Sequence, residues 1–200
     1  MTRPTALLYN NVMKRKAKFL AADIAECAMF IVLMVAATYI QIPFPLVPLT
    51  FQTAVSVLAG LLLGWKKGVI AMSVYCFSGL VGLPVFTAGG GIAYVLKPSF
   101  GYIIGFIAAA GVGGLIVGKN NPPLWRYIVA ALAAFAADYV IGVPYCIIAA
   151  RLLGVENLTN LFIFGNLVYM PKDAALSVLA AILAKTVAPV VRKRKVRVGE

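Results

Sequence analysis

Apolar stretches of the length needed to cross a bilayer recur along this 200-residue chain, and they decide what it can fold into. A helix that crosses roughly 30 Å of hydrocarbon needs about 20 mostly apolar residues. Such runs lie at 19–40, 100–117 and within 124–153, and shorter ones lie at 50–64, 68–82 and 174–190. With 62% apolar and only 12% charged residues, the chain lacks the ionisable side chains to cover a water-soluble globule. The excess apolar surface must face lipid. The pattern predicts an all-α polytopic membrane protein, with six transmembrane helices in a single membrane domain over 1–200. A basic segment, 1–18, precedes the first run, and a basic tail, 191–200, follows the last.

The breaks between runs are specific. Pro43, Pro45 and Pro48 remove donors and favour extended backbone after the first run. Trp65, Lys66 and Lys67 read as a tight interfacial turn. Glycines at 79, 82, 89, 90 and 91 surround Pro84, a composition that lets backbone approach a ligand closely; a flexible surface loop explains it equally. Lys119-Asn120-Asn121-Pro122-Pro123 ends the fourth run. Residues 154–170 read as an external loop with a short re-entrant or surface-lying piece, and Pro171-Lys172-Asp173 opens the sixth run.

Orientation follows from the cations. With six spans and both termini cytoplasmic, 15 of the 18 basic residues fall inside, and only Lys97, Arg151 and Lys172 fall outside. The formal charge of +12 sits in short clusters at the ends of apolar runs, which suits anionic lipid headgroups. Nucleic-acid binding would need those cations converged on one surface, so it is not expected.

Catalysis finds no support in the residues. The chain has no histidine, and Cys27, Cys76 and Cys146 are scattered through apolar segments, so neither a zinc site nor a disulfide framework is expected. Gly118-Lys119-Asn120 lacks the spacing and the following Ser/Thr of a nucleotide-binding loop. The expectation is no enzyme and no cofactor; if ATP drives transport, another protein hydrolyses it.

Binding candidates fall toward the outer half of the proposed bundle. Gln52, Gly89, Gly90, Gly91, Tyr94, Lys97, Tyr102, Asp138, Tyr139, Lys172 and Asp173 can line a cup that opens outward. Asp138 lies near mid-span, where a carboxylate is costly and faces a cavity, a cation or a polar ligand; a structural pair with a neighbouring helix is the alternative. Asp173, at a helix start, suits a fixed acceptor or a simple first-turn cap. Lys97 and Lys172 can neutralise a ligand carboxylate or merely snorkel. The tyrosines offer flat walls with hydroxyl tips, but also fit an interfacial belt, and Gln52 can equally bond a neighbouring helix.

Several spaced blocks in order give the chain a resemblance. Ile42-Pro43 through Val47-Pro48-Leu49-Thr50-Phe51-Gln52-Thr53 is followed by Gly79-Leu80-Val81-Gly82-Leu83-Pro84-Val85-Phe86 and Pro98-Ser99-Phe100-Gly101-Tyr102. Asp138-Tyr139-Val140-Ile141-Gly142 and Pro171-Lys172-Asp173 come after them. In these blocks the chain resembles the BioY family, the biotin-binding S components of energy-coupling-factor (ECF) transporters of prokaryotic cell membranes. The resemblance implies an S-component-like bundle of six helices and high-affinity capture of biotin from outside. It also implies docking onto a transmembrane T component coupled to two ABC-type ATPases. Its partner contact is an alanine-xxx-alanine face on the first helix, and Ala21 and Ala25 have that spacing.

The family's last motif resembles Pro-Gly-Asp followed by two residues and a lysine, and its aspartate is implied to meet the ureido ring; the matching residue is Asp173. Lys172 replaces the motif glycine and Leu176 takes the lysine position. Where similar proteins read Gly-Pro-Thr-Gly-Gly-Tyr, this chain has Lys97-Pro98-Ser99-Phe100-Gly101-Tyr102, so either Lys97 or Lys172 is placed to replace the missing lysine. An S component for another small vitamin and a non-transporting membrane scaffold are the alternatives.

Overall fold

The structure is a computed structural model, and it describes residues 3–42, 47–118, 122–155, 167 and 169–199, with side chains described from residue 21 to residue 189. Pro43, Pro45, the break at 119–121 and the expected re-entrant piece within 156–166 lie outside the described residues. So do the side chains of the basic N-terminal segment and of the basic tail.

The helices are α1 Arg3–Tyr39, α2 Gln52–Leu63, α3 Trp65–Leu80, α4 Phe100–Val117, α5 Leu124–Leu152 and α6 Met170–Gly199. A short 3-10 turn, Ile92–Leu96, precedes α4. Among the described residues, Ala21–Tyr39, Phe100–Val117 and Leu124–Leu152 are long and apolar enough to cross a membrane. Their outward side chains are apolar: Val140 is 72% exposed and Leu152 81%.

Three helices differ in extent from the expectation; α6, expected over 174–190, runs Met170–Gly199 and so takes in Pro171-Lys172-Asp173 and most of the basic tail. α1 takes in the basic segment as well as the apolar run, because nothing before residue 40 breaks its backbone ladder. The turn between α2 and α3 is made by Gly64 alone, which adopts φ 80°, a conformation open to glycine. Trp65, Lys66 and Lys67 therefore form the first turn of α3 rather than the connection itself.

α4 packs on α2, α3 and α5, and glycine sets how close those helices come. A Cβ at Gly60 would lie 2.4 Å from the Ala110 carbonyl oxygen, and one at Gly114 would lie 2.3 Å from the Trp65 nitrogen. The Gly101/Gly105 pair faces α5, where added Cβ atoms would meet Tyr145 and Asp138 at 2.4 and 2.1 Å. Lipid is as apolar as a leucine side chain, so helix association here rests on packing and hydrogen bonds rather than on removal of area from water. Seams of glycine and alanine supply that packing. One core cluster is alanine-rich, with Ala130, Ala131 and Ala134 of α5 against Ala180, Ala181 and Ala184 of α6. A second is aromatic, around Phe30, Tyr75, Phe86, Phe100 and Phe106, and a small third joins Val47, Cys146, Ala150 and Tyr169.

One ion-pair cluster ties α1 to α3. Lys67 Nζ lies 2.7 Å from Asp23 Oδ1 and also bonds Glu26 Oε2. Ala21 and Ala25 lie on the same helix and are both exposed.

Candidate small-molecule site

The starts of α2, α4 and α6 converge at one end of the bundle. Between them lies a cavity of about 540 Å³ of empty space, counting its open mouth. The rim is the segment 47–50, which returns from α1 to α2 and is fixed by a reciprocal backbone pair, Ile42 N to Leu49 O at 2.9 Å and Leu49 N to Ile42 O at 3.0 Å.

Asp173 is the acid of the wall, only 6% exposed. Tyr139 donates its hydroxyl to Asp173 Oδ2 at 2.6 Å. Lys172 Nζ stands 2.7 Å from Oδ1, an ion-pair contact whose angles do not make it a hydrogen bond, while the ammonium donates to the Thr50 carbonyl at 2.6 Å. Oδ1 thus has no hydrogen-bond donor of its own, and the ammonium gives one of its three donors to Thr50. The Asp173 side chain engages Tyr139 and Lys172; it is the Asp173 backbone N–H that bonds the Tyr169 carbonyl, at 2.9 Å.

The opposite side of the wall is a hydrogen-bonded chain. Gln52 Nε2 donates to the Tyr75 hydroxyl at 2.7 Å, and that hydroxyl donates to the Val85 carbonyl at 2.9 Å. Tyr94, 2% exposed, shares hydrogen bonds with Thr87 Oγ1 at 2.8 Å and Ser99 Oγ at 3.2 Å. Phe86, Ile103 and Phe106 supply apolar surface, and Tyr102 packs edge-on to Tyr139 with ring centroids 5.6 Å apart. Burial pushes the Tyr169 hydroxyl up to about 12, so it stays a neutral group beside Asp173.

Of the residues singled out from sequence, Gln52, Tyr94, Tyr102, Tyr139, Lys172 and Asp173 share this wall. The others lie elsewhere. Lys97 is exposed, 3.4 Å from the Ala88 carbonyl and 5.1 Å from the centre of the Tyr94 ring, on the outside of the loop. Gly89, Gly90 and Gly91 are not at the cavity surface: Gly91 N donates to the Gly79 carbonyl at 2.7 Å, and a Cβ at Gly90 would sit 2.1 Å from the Leu83 carbonyl oxygen. The glycines let the loop fold back on the end of α3, and the residues this turns inward are Phe86 and Thr87. Asp138 is fully buried behind the wall, where its Oδ2 and Thr53 Oγ1 share a hydrogen bond of 3.2 Å.

Sequence reasoning missed Tyr75 and Phe86 as wall residues. Phe86 lies in a quoted motif block, as do Thr53 and Ser99, whereas Tyr75 sits in an apolar run with nothing to mark its face.

An all-α membrane bundle with an open, polar-tipped cavity at one end defines a class, the membrane-embedded solute-binding proteins. Comparison with known proteins narrows it. The BioY family model matches residues 11–193. A probable biotin transporter BioY of Lysinibacillus sphaericus is 40% identical over 171 residues, covering 84% of this chain and 87% of that protein. Another, from Pyrococcus horikoshii, is 34% identical over 166 residues, covering 82% and 95%. The fold matches a 2.1 Å crystal structure of the S-component for biotin from an ECF-type ABC transporter, with a TM-score of 0.61 at 23% identity over 94% of both chains. The chain belongs to the BioY family.

Proposed function

We propose that this protein captures biotin, as the substrate-binding S component of an ATP-driven ECF-type vitamin transporter. The observation that carries the reading is the cavity at the start of α6. There the block Pro171-Lys172-Asp173 places a carboxylate, with one oxygen lacking a hydrogen-bond partner, in the cavity wall. In this reading Asp173 accepts hydrogen bonds from the ureido N–H groups. Lys172, the lysine that reaches the wall, neutralises Asp173 beside the ureido ring, and the tyrosines and Phe86 cover the rings and the tail. Charge and apolar contact then divide the work as in other small-molecule sites, with a few polar groups orienting the ligand.

The arrangement we propose has six spans, with the N- and C-termini cytoplasmic and the cavity at the outer surface. The 15-to-3 division of basic residues supports it. On the first span, exposed Ala21 and Ala25 sit one helical turn apart and allow a partner helix to approach closely, which suits the T component of a complex energised by two ABC-type ATPases. Equilibrium binding of the purified protein to biotin tests the reading; a protein that shows no saturable biotin binding is not a biotin S component.

A further inference from the structure

The bundle holds two buried acids in very different company. Asp173 has an ammonium at 2.7 Å and a phenol hydroxyl at 2.6 Å. Asp138, with no exposed surface, is in no ion pair among the described residues. Its Oδ2 meets Thr53 Oγ1 at 3.2 Å, and its Oδ1 has no hydrogen-bond partner among the described residues. That second oxygen is pressed on the backbone of α4, where a Cβ at Gly105 would stand 2.1 Å away. An ionised carboxylate in this place would lie in the low-dielectric interior with one long hydrogen bond and no counter-charge, a cost that a single hydroxyl donor does not offset. An acid buried in that place keeps its proton.

Thr53 gives that proton a purpose. It lies in the cavity wall and is the residue through which Asp138 touches the site. Beside an ionised Asp138, the Thr53 hydroxyl must donate backward and can only accept from a ligand. Beside a neutral one, Oδ2–H donates to Thr53 Oγ1, and the threonine hydrogen is released toward the cavity. We propose that Asp138 is held as a neutral acid and is a positioning residue that makes Thr53 a hydrogen-bond donor to the bound solute. The complementary ligand atom is an uncharged acceptor; given the biotin reading on which this rests, it is the ureido carbonyl oxygen. Asp173 accepts from the N–H side of that ring and Thr53, backed by Asp138, donates to its oxygen, so the site reads opposite polarities of one group.

Two measurements test this. Infrared spectra of the purified protein at neutral pH, native and D138N, are compared for the carbonyl stretch of a protonated carboxylic acid. The native protein shows the band and D138N loses it; a native spectrum without it overturns the proposal. Biotin titrations of T53V, D138V, the double variant and D138N supply the second. T53V and D138V each weaken binding about tenfold, the double variant is no weaker than the worse single one, and D138N stays within about threefold of native because its amide also donates to Thr53. Additive losses, or a weakened D138V beside an unaffected T53V, overturn it. If D138V does not fold, T53V and the infrared pair still decide. A native protein that ignores biotin refutes the biotin reading, and the infrared result then stands by itself on the protonation of Asp138.

Discussion

Changing Asp173 to asparagine removes one charge while keeping the outline of the side chain. The amide oxygen can take the place of Oδ2 and keep the 2.6 Å bond from Tyr139. That choice puts the NH₂ where Oδ1 stood, facing Lys172 Nζ at 2.7 Å and the ligand beyond it. A donor then meets a donor. What the variant loses is a hydrogen bond from the ligand to a charged acceptor, about 1.5–3 kcal/mol. At about 1.4 kcal/mol per factor of ten, biotin affinity falls roughly 12- to 140-fold, with the facing donors favouring the upper end. Titration of detergent-purified native and D173N protein with labelled biotin reads the change, and a thermal unfolding curve of each shows that the bundle is intact. A D173N protein that folds normally and binds within about twofold of native would refute Asp173 as the acceptor, because a lost charge-assisted bond cannot cost so little.

Other outcomes follow from the same geometry. K172M weakens biotin binding by at least about tenfold, since it leaves Asp173 buried without its counter-charge, whereas K97M on the outer side of the loop changes it by less than about twofold; paired titrations separate the two. G142A drives a Cβ to within 2.4 Å of the Tyr102 ring and lowers stability by about 1–3 kcal/mol, with weaker biotin binding because Tyr102 is displaced from the wall; melting and titration report both. Cysteines introduced at 66 and 97 react with a membrane-impermeant maleimide from opposite sides, position 97 in intact cells and position 66 only after lysis; label at 66 in intact cells would reverse the topology and move the cavity to the cytoplasm.

The membrane class and the longest spans were legible because length and hydropathy alone determine them: no arrangement of 100–117 or 124–152 avoids lipid or a fully apolar interior. The polar face of the site was legible where a polar residue stood against an apolar background, as with Gln52, Tyr139 and Asp173. Facing was not. Lys97 and Lys172 look alike in sequence, each beside a proline at a helix start, yet the 3-10 turn before α4 throws Lys97 outward while the first turn of α6 sends Lys172 across to Thr50. Tyr75 lay hidden because every residue of an apolar run fits lipid and core equally well. The glycines at 89–91 suggested ligand approach, but the same lack of a Cβ serves a loop that must fold back on its own carbonyls, and that is how the chain uses them.

Lys172 grips the rim through the main-chain oxygen of Thr50, not through its side chain. Any amino acid at position 50 offers the same oxygen, so the chemistry of that position can drift over generations, or be redesigned, without undoing the clasp. What the clasp does not tolerate is a change of phase. Inserting or deleting one residue between 42 and 50 would carry the oxygen away from the ammonium, and it would release the Ile42–Leu49 pairing in the same stroke.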